Sequence, residues 1–360
     1  MGGSISSIIT GTGSYIPTNC VKNDAFLENE FFDRTGKKLE KDNEEIIRKF
    51  FEITEIEERR YVTDDLVTSD IAYLSAVEAI KSANINPEEL DYIIVAHNFG
   101  DVKYGSNRTD MVPSLASRVK YKLEIENPNT VVYDVPFGCP GWLQAMIQAD
   151  YYIKSGDAQK IMVIGAETLS RVIDPHDRDS MIYADGAGAT ILEAQKSEKP
   201  TGILAHSTRS DTKIYAEMLY MDKSYNPALH EKRDIFLKMQ GRKLYQYALS
   251  NVPSAIKGAL DKSNLSIEDI SHILIHQANG KMDQAIIERL YKLYGKDDIP
   301  QHVMPMIISW LGNSSVATIP TLLDLMLKDQ LTDYEINKDG IWVFASVGAG
   351  MNINALTYKM

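Results

Sequence analysis

Residues 130–167 read TVVYDVPFGCPGWLQAMIQADYYIKSGDAQKIMVIGAE, and this stretch decides the fold. Val131, Val132, Tyr133 and Val135 form a short β-branched and aromatic run suited to a buried strand, and Pro136-Phe137-Gly138 interrupts it. From Cys139 the spacing turns helical. Trp142, Ala145, Ala149 and Tyr152 recur about one turn apart, while Leu143, Met146 and Ile147 fill a second face, as in a buried helix. Lys154 and Gly156 supply a C-terminal stop, and residues 161–165 form the next strand. Cys139 is therefore expected at a strand-to-helix elbow, on the first residues of the helix, with Pro140 in a turn that needs no N–H partner. Free N–H groups and the helix dipole there predict a thiol pKa below the usual value of about 8.5. A small, inert core residue is the other reading of a single cysteine.

A chain of 360 residues can form two domains, or one large one with two similar halves. Apolar content of 44% and charged content of 24% place it among soluble globular proteins. No apolar run approaches a membrane span, and Met1-Gly2-Gly3-Ser4 lacks the basic and apolar regions of a signal peptide. Cys20 and Cys139 are the only cysteines, so no disulfide framework is implied and the cytoplasm is the expected compartment. Asn107-Arg108-Thr109 matches a glycosylation acceptor, a match without meaning inside the cell. The net charge of −12 argues against a nucleic-acid binder and obliges any acidic partner to find a local positive patch.

Along the chain, residues 5–9 read as a strand entering a turn at Gly11-Thr12-Gly13, which lacks the third glycine and following helix of a nucleotide loop. Residues 23–51 are polar and charged, with helical pieces at 26–32 and 44–51. A helix at 70–83 and a strand at 92–96 follow, then a loop at 98–113 over the surface or a site mouth, and a helix at 114–123. Asp185-Gly186-Ala187-Gly188-Ala189 precedes a strand at 190–194, its small residues pointing to close backbone packing. Residues 199–233 read as a linker and irregular cap, and 237–259 as a helix broken at Pro253. A strand at 273–275 runs into His276-Gln277-Ala278-Asn279 and a helix at 281–293. Trp310-Leu311-Gly312-Asn313-Ser314-Ser315 leads to a helix at 319–327, and the last strands, 341–345 and 353–358, are joined through residues 347–350. Strands alternate with helices throughout, so the class is α/β, and the two halves share an order of elements.

Chemistry converges on three residues. A thiol nucleophile needs a partner to take or hold a proton, and His276 at a strand end suits that task. Asn313 adds an amide donor where negative charge develops on a carbonyl oxygen. Singly, a strand-end histidine is often structural and Asn-Ser-Ser is ordinary turn chemistry. Together with Cys139 they make a Cys-His-Asn hypothesis. Papain-like proteases use the same set in another context, Cys-Gly-Ser-Cys-Trp, whereas this chain has Phe137-Gly138-Cys139-Pro140-Gly141.

At these residues the sequence resembles the β-ketoacyl-acyl carrier protein synthase III family of thiolase-fold condensing enzymes. Gly11-Thr12-Gly13-Ser14-Tyr15-Ile16-Pro17 resembles the family's opening strand, and residues 134–141 its nucleophile elbow. Asp174-Pro175-His176-Asp177-Arg178, Asp185-Gly186-Ala187-Gly188, His276-Gln277-Ala278-Asn279, Gly312-Asn313-Ser314-Ser315 and Gly348-Ala349-Gly350 match further landmarks in the family's order. The resemblance implies a thiolase-like fold of two βαβαβαββ halves in a five-layered αβαβα arrangement, residues 1–198 carrying the nucleophile and 199–360 the histidine and asparagine, usually as a homodimer. It implies acyl transfer to Cys139, then decarboxylative Claisen condensation with malonyl-acyl carrier protein, with His276 and Asn313 holding the enolate. Backbone N–H groups of Cys139 and of Gly348, Ala349 and Gly350 would hold the tetrahedral oxyanion. No metal or prosthetic group is implied; acyl-coenzyme A or acyl-acyl carrier protein serves as donor. Lys281 falls where the family's carrier-docking basic residue lies, and Arg242 and Lys243 are candidates to join it.

The departures carry information. Members primed from coenzyme A usually have an Arg-Thr-Gly-Ile run and a nearby Trp, where this chain has Ile53-Thr54-Glu55-Ile56 and no Trp. Extra residues around 31–45, 100–110 and 220–233 fall where entrance loops would be. The first feature points to a starter delivered on carrier protein and the second to a specialised starter. The resemblance implies fatty-acid or related lipid or polyketide biosynthesis, with a secondary pathway such as resorcinol or aryl-polyene formation as the alternative. A non-catalytic partner subunit and an acyltransferase that does not condense are the rival readings.

Overall fold

In the computed structural model, which describes residues 4–232, 234–337 and 339–360, the strands gather into two principal sheets. The first holds β1 (Ser4–Tyr15), β2 (Tyr92–His97), β3 (Val131–Pro136), β4 (Lys160–Thr168) and β5 (Asp185–Ser197) in the order β1-β5-β4-β2-β3. The second holds β6 (Gly202–Ser210), β7 (Ile270–Ile275), β8 (Ile341–Gly348) and β9 (Asn352–Lys359) in the order β6-β9-β8-β7. β2 runs parallel to β3 and β4, and β7 to β8; the other neighbours are antiparallel. Parallel neighbours need long crossovers, and helices supply them. The principal helices are α1 (Asn43–Thr54), α2 (Thr68–Ala83), α3 (Leu115–Lys122), α4 (Gly141–Ser155), α5 (Gly241–Lys262), α6 (Gly280–Lys292) and α7 (Thr318–Leu327).

Alternating side chains on the central strands face opposite cores. Ile93 and Val95 of β2 meet Ile71 and Leu115 of α2 and α3, whereas Ile94 faces Trp142 and Leu143 of α4. In the second sheet Trp342 and Phe344 face α4 and α7, while Val343 and Ala345 face Val252, Ile256, Ile286 and Leu290 of α5 and α6. The result is the five-layered αβαβα arrangement expected from the resemblance. It also explains why α4 is apolar on most sides: it lies between two sheets. In the second half, the place of the repeat's third strand is taken by a segment in which the Ile273 N–H reaches Val303 O at 2.7 Å without a further ladder among the described residues.

Four local expectations are corrected. Gly11 and Gly13 lie inside β1, not in a turn, and a Cβ on Gly13 would come 2.3 Å from the Ser75 carbonyl oxygen of α2. They are small because a helix crosses there. Asp185–Ser197 is strand from its first residue, and a Cβ on Gly188 would come 2.7 Å from the Pro320 backbone of α7. The supposed linker contains β6, which pairs with β9 about 150 residues later, a partnership invisible to local pattern. Its end, residue 233, lies outside the described residues, as do residues 1–3. Finally, α5 runs through Pro253 unbroken. Proline leaves the carbonyl four residues earlier without its helical partner, and the Arg289 guanidinium donates to that Leu249 oxygen at 3.3 Å.

No helix among the described residues is long and apolar enough to cross a membrane. Gly13→Ala should lower unfolding stability by about 1–3 kcal/mol, the range for overfilling a packed contact. Denaturant titration checks it, and an unchanged midpoint would mean that β1 and α2 are less closely apposed.

Candidate active site

The elbow after β3 depends on Gly138, whose φ of 77° is left-handed, and on the Gly141 N–H, which donates to Gly138 O at 2.8 Å. Pro140 is the N-cap of α4, so Cys139 precedes the helix instead of occupying its first turn. The thiol expectation is corrected with it. Burial pushes the Cys139 thiol up to about 11, the neighbouring Glu167 carboxylate adds to the rise, and the Ser315 hydroxyl opposes it. Desolvation of the charged form outweighs the helix terminus, so the resting sulfur carries its proton.

His276 directly follows β7, its backbone N–H bonded to Ala345 O of β8 at 2.8 Å. Burial pushes its imidazole down to about 4, against a weaker opposing effect of the Ser315 backbone, and the ring is neutral at physiological pH. Its Nδ1 is buried with no hydrogen-bond partner among the described residues. Asn313 follows Gly312, where φ is 68° and a Cβ would stand 2.7 Å from Arg59 Cβ. The Asn313 backbone is clamped on both sides: its N–H donates to Ile182 O at 2.9 Å and its carbonyl accepts from the Ala184 N–H at 2.8 Å. Asn313 Oδ1 accepts the Ser315 N–H at 2.8 Å, which commits the oxygen and leaves Nδ2 as a donor.

Ser315 joins these parts. Its hydroxyl donates to Cys139 Sγ at 3.2 Å, its N–H holds Asn313 and its backbone lies beside the His276 ring. The terminal glycine turn closes the other side. A Cβ on Gly348 would lie 2.8 Å from Cys139 N, and Ala349 lines the same cavity as the thiol, while Gly350 turns with φ 74°. Ser315 was legible in the sequence only as part of a motif, and no local pattern marked Asn98 or Glu167. Asn98 donates from backbone and side chain to Glu167 Oε2, at 2.7 and 2.5 Å.

Two cavities flank the cluster. The smaller, about 330 Å³, is lined by Cys139 and by Phe99, Phe137, Leu169, Leu219, Met221 and Leu237. The hairpin Leu219–Asp222 with Phe236–Met239 thus forms one wall, and it belongs to one of the extra segments. It is anchored by fully buried Lys238, whose ammonium meets Asp174 Oδ2 at 2.5 Å and the Tyr225 ring at 3.5 Å. Asp174 of the landmark at 174–178 is therefore spent on holding this wall. The larger cavity, about 900 Å³, has Phe50, Ile53 and Leu244 in its lining and five basic residues, Arg34, Lys41, Lys49, Arg178 and Arg242, beside Asp179. Lys41 and Lys49 both pair with Glu45, at 2.8 and 2.6 Å. Arg242 was anticipated; the other four are assembled from segments far apart in sequence. Lys243 and Lys281 are exposed but do not line this cavity. The third extra segment is tied to the hairpin's neighbourhood by Asn107 Nδ2, which donates to Ile235 O at 2.7 Å.

Comparison with known proteins places this geometry. Residues 133–212 match the family model for 3-oxoacyl-[acyl-carrier-protein] synthase III, and residues 260–360 match the model for its C-terminal part. A β-ketoacyl-[acyl-carrier-protein] synthase III of Staphylococcus aureus (strain JH1) is 31% identical over 352 residues, covering 98% of each chain. The crystal structure of 3-oxoacyl-[acyl-carrier-protein] synthase III from Aquifex aeolicus VF5 superposes with a TM-score of 0.80 at 27% identity, covering 99% of this chain and 100% of that one. The corresponding synthase of Thermus thermophilus gives 0.78 at 27% identity, covering 98% and 99%. With near-complete coverage in both directions, the protein belongs to the 3-oxoacyl-[acyl-carrier-protein] synthase III family of acyl-transferring condensing enzymes.

Proposed function

We propose that Cys139 is the acyl-carrying nucleophile of a two-stage condensation and that His276 and Asn313 stabilise the enolate of the extender. The observation that carries the reading is the meeting of all three at Ser315, which lines an apolar cavity together with Cys139. The resting site holds a neutral thiol and a neutral imidazole, so neither reactive group is buried as a charge before substrate arrives. The first stage suits this state. Thioester exchange forms a Cys139 S–acyl bond and releases the donor's thiol, which takes the proton that Cys139 loses. In the second stage malonyl-acyl carrier protein loses CO₂, and the resulting enolate attacks the acyl carbon. Collapse of the tetrahedral intermediate expels Cys139 as thiolate, which takes up one proton. Both stages run without metal or prosthetic group.

A neutral imidazole donates one N–H, and the Asn313 amide supplies a second donor to the same oxygen. The backbone N–H groups of Cys139 and the Gly348, Ala349 and Gly350 turn serve the tetrahedral oxyanion, each such donor being worth about 10²–10³ in rate. Asn313→Ala should therefore still become acylated at Cys139, while malonyl decarboxylation falls by about 10²-fold or more. Intact-protein mass spectrometry and CO₂ release measure the two separately. Equal loss in both would make Asn313 structural, and acylation surviving Cys139→Ser would remove the nucleophile assignment.

The donor and extender arrive on acyl carrier protein. The basic lining of the larger cavity supports this, because an acidic partner needs local positive charge on a chain of net charge −12. Exposed Ile53, where coenzyme A-primed members carry a cation, supports carrier delivery of the starter as well. Arg242→Glu should raise KM for the malonyl-carrier substrate and weaken its salt dependence, with a small malonyl thioester almost unaffected. Lys281→Glu tests the outer docking position in the same assay. Equal effects on both substrates would exclude docking by either residue.

The chain functions as a homodimer. β3 is an edge strand with Val131 exposed, and Met111 and Val112 are exposed nearby in sequence space along the segment before α3. An apolar open edge is the kind of surface a second copy covers. Sedimentation equilibrium at micromolar concentration should give twice the 40.4 kDa chain mass; a monomer would overturn the proposal.

A further inference from the structure

The oxyanion donors and the enolate pair leave one buried acid of the site without a task. Glu167, at the end region of β4, is fully buried, and its Oε1 has no partner among the described residues. Its Oε2 accepts two N–H groups of Asn98, from the backbone at 2.7 Å and from Nδ2 at 2.5 Å. Nδ2 also reaches Ser315 Oγ at 3.0 Å, and Ser315 Oγ reaches Cys139 Sγ at 3.2 Å. The direction of this chain is fixed from its far end. An acceptor-only carboxylate oxygen requires the amide nitrogen of Asn98 to face it, so the nitrogen, not Oδ1, meets the serine. Ser315 Oγ, already accepting from Asn98, has its own proton left to give to the sulfur. Were the Asn98 amide reversed, Ser315 would donate to Oδ1 and the sulfur would lose its donor.

We propose that Glu167 is a positioning residue that acts through Asn98 to hold the Ser315 hydroxyl as a hydrogen-bond donor to the Cys139 sulfur. This rests on the reading of Cys139 as nucleophile. A donor on sulfur favours the thiolate over the thiol and so favours both attack on the donor thioester and departure of Cys139 from the tetrahedral intermediate.

Charge makes a second, opposite contribution that the test must separate. Burial pushes the Glu167 carboxyl up to about 7, with the Asn98 hydrogen bonds and His97 opposing and Asp185 reinforcing the rise. The titratable groups around the pair among the described residues include His97 at the end of β2, Asp185 at the start of β5, Tyr183, which faces the thiol from the same cavity, and His276 beside Ser315. Below about pH 7 Glu167 is neutral; above it the carboxylate repels a thiolate at Cys139 and holds the thiol pKa up.

Glutamine in place of Glu167 keeps an oxygen that accepts from Asn98 and removes the charge, whereas alanine removes both. The rate of Cys139 alkylation by iodoacetamide, followed by mass spectrometry from pH 5 to 10, reads the two contributions. Glu167→Gln should match the wild type below about pH 7 and react faster above it. Glu167→Ala should react about 10-fold more slowly than Glu167→Gln at every pH, the scale of losing one hydrogen bond to a charged group. In a Ser315→Ala background the alanine and glutamine variants should become equal, because the difference between them travels through that hydroxyl. Equal rates for the two in the native background, or a difference that persists without Ser315, would overturn the proposal. If Glu167→Ala does not fold, Asn98→Leu breaks the same chain and should likewise react about 10-fold more slowly than wild type; an unchanged rate overturns it. Acylation of the wild-type protein by an acyl thioester is measured apart, so its failure would count against the condensation reading and not against the relay.

Discussion

The site depends on one short turn held in an unfavourable backbone conformation. Ser315 has φ of 54°, a left-handed value that a residue with a Cβ adopts at a cost. The cost is offset because the turn brings a donor to sulfur, a clamp on the Asn313 amide and a backbone group beside His276 into one residue. Left-handed Gly312 precedes it, and the strand-like pairing of Asn313 with residues 182–184 fixes the turn from outside. Nothing in this arrangement is local: Cys139 comes from the first sheet, His276 from the second, and Ser315 from the connection into α7 between them.

Desolvation sets the electrostatic character of the site. It moves the thiol up, the imidazole down and the Glu167 carboxyl up, in each case towards the neutral form. The helix terminus, which sequence reasoning expected to win, begins after the cysteine and does not reverse this. A neutral site suits a reaction that exchanges one thiol for another and then forms charge only transiently on oxygen. Preorganised donors are most effective there because they need not reorient as that charge appears.

The extra segments serve walls more than surface. The hairpin at 219–222 and 236–239 closes the apolar cavity beside Cys139, and its buried Lys238–Asp174 pair commits it to one position. A buried pair of this kind is weak evidence of stability but good at specifying geometry. Segment 31–45 contributes Arg34 and Lys41 to the basic cavity. A molecule whose overall charge is strongly negative thereby gathers basic side chains at one cavity without any basic run in its sequence.

Much of the fold and the reactive trio was legible because the signals were short in range. Apolar periodicity marked β3, α4 and β4; motif order along the whole chain marked Cys139, His276 and Asn313. What the sequence misread were features whose partners lie far away. Gly11 and Gly13 looked like a turn until α2 crossed them, β6 looked like linker without β9, and Pro253 looked like a break until Arg289 reached the orphaned carbonyl. The residues around the nucleophile were hidden for the same reason, since Asn98, Glu167 and Ser315 come from three separate elements and meet only in the folded chain. By itself the sequence determined most of the element types, their order and the identity of the reactive groups, which follow from local pattern. Tertiary structure alone decided their protonation and the direction of the hydrogen bonds among them, because both depend on which groups burial places together and which it removes from water.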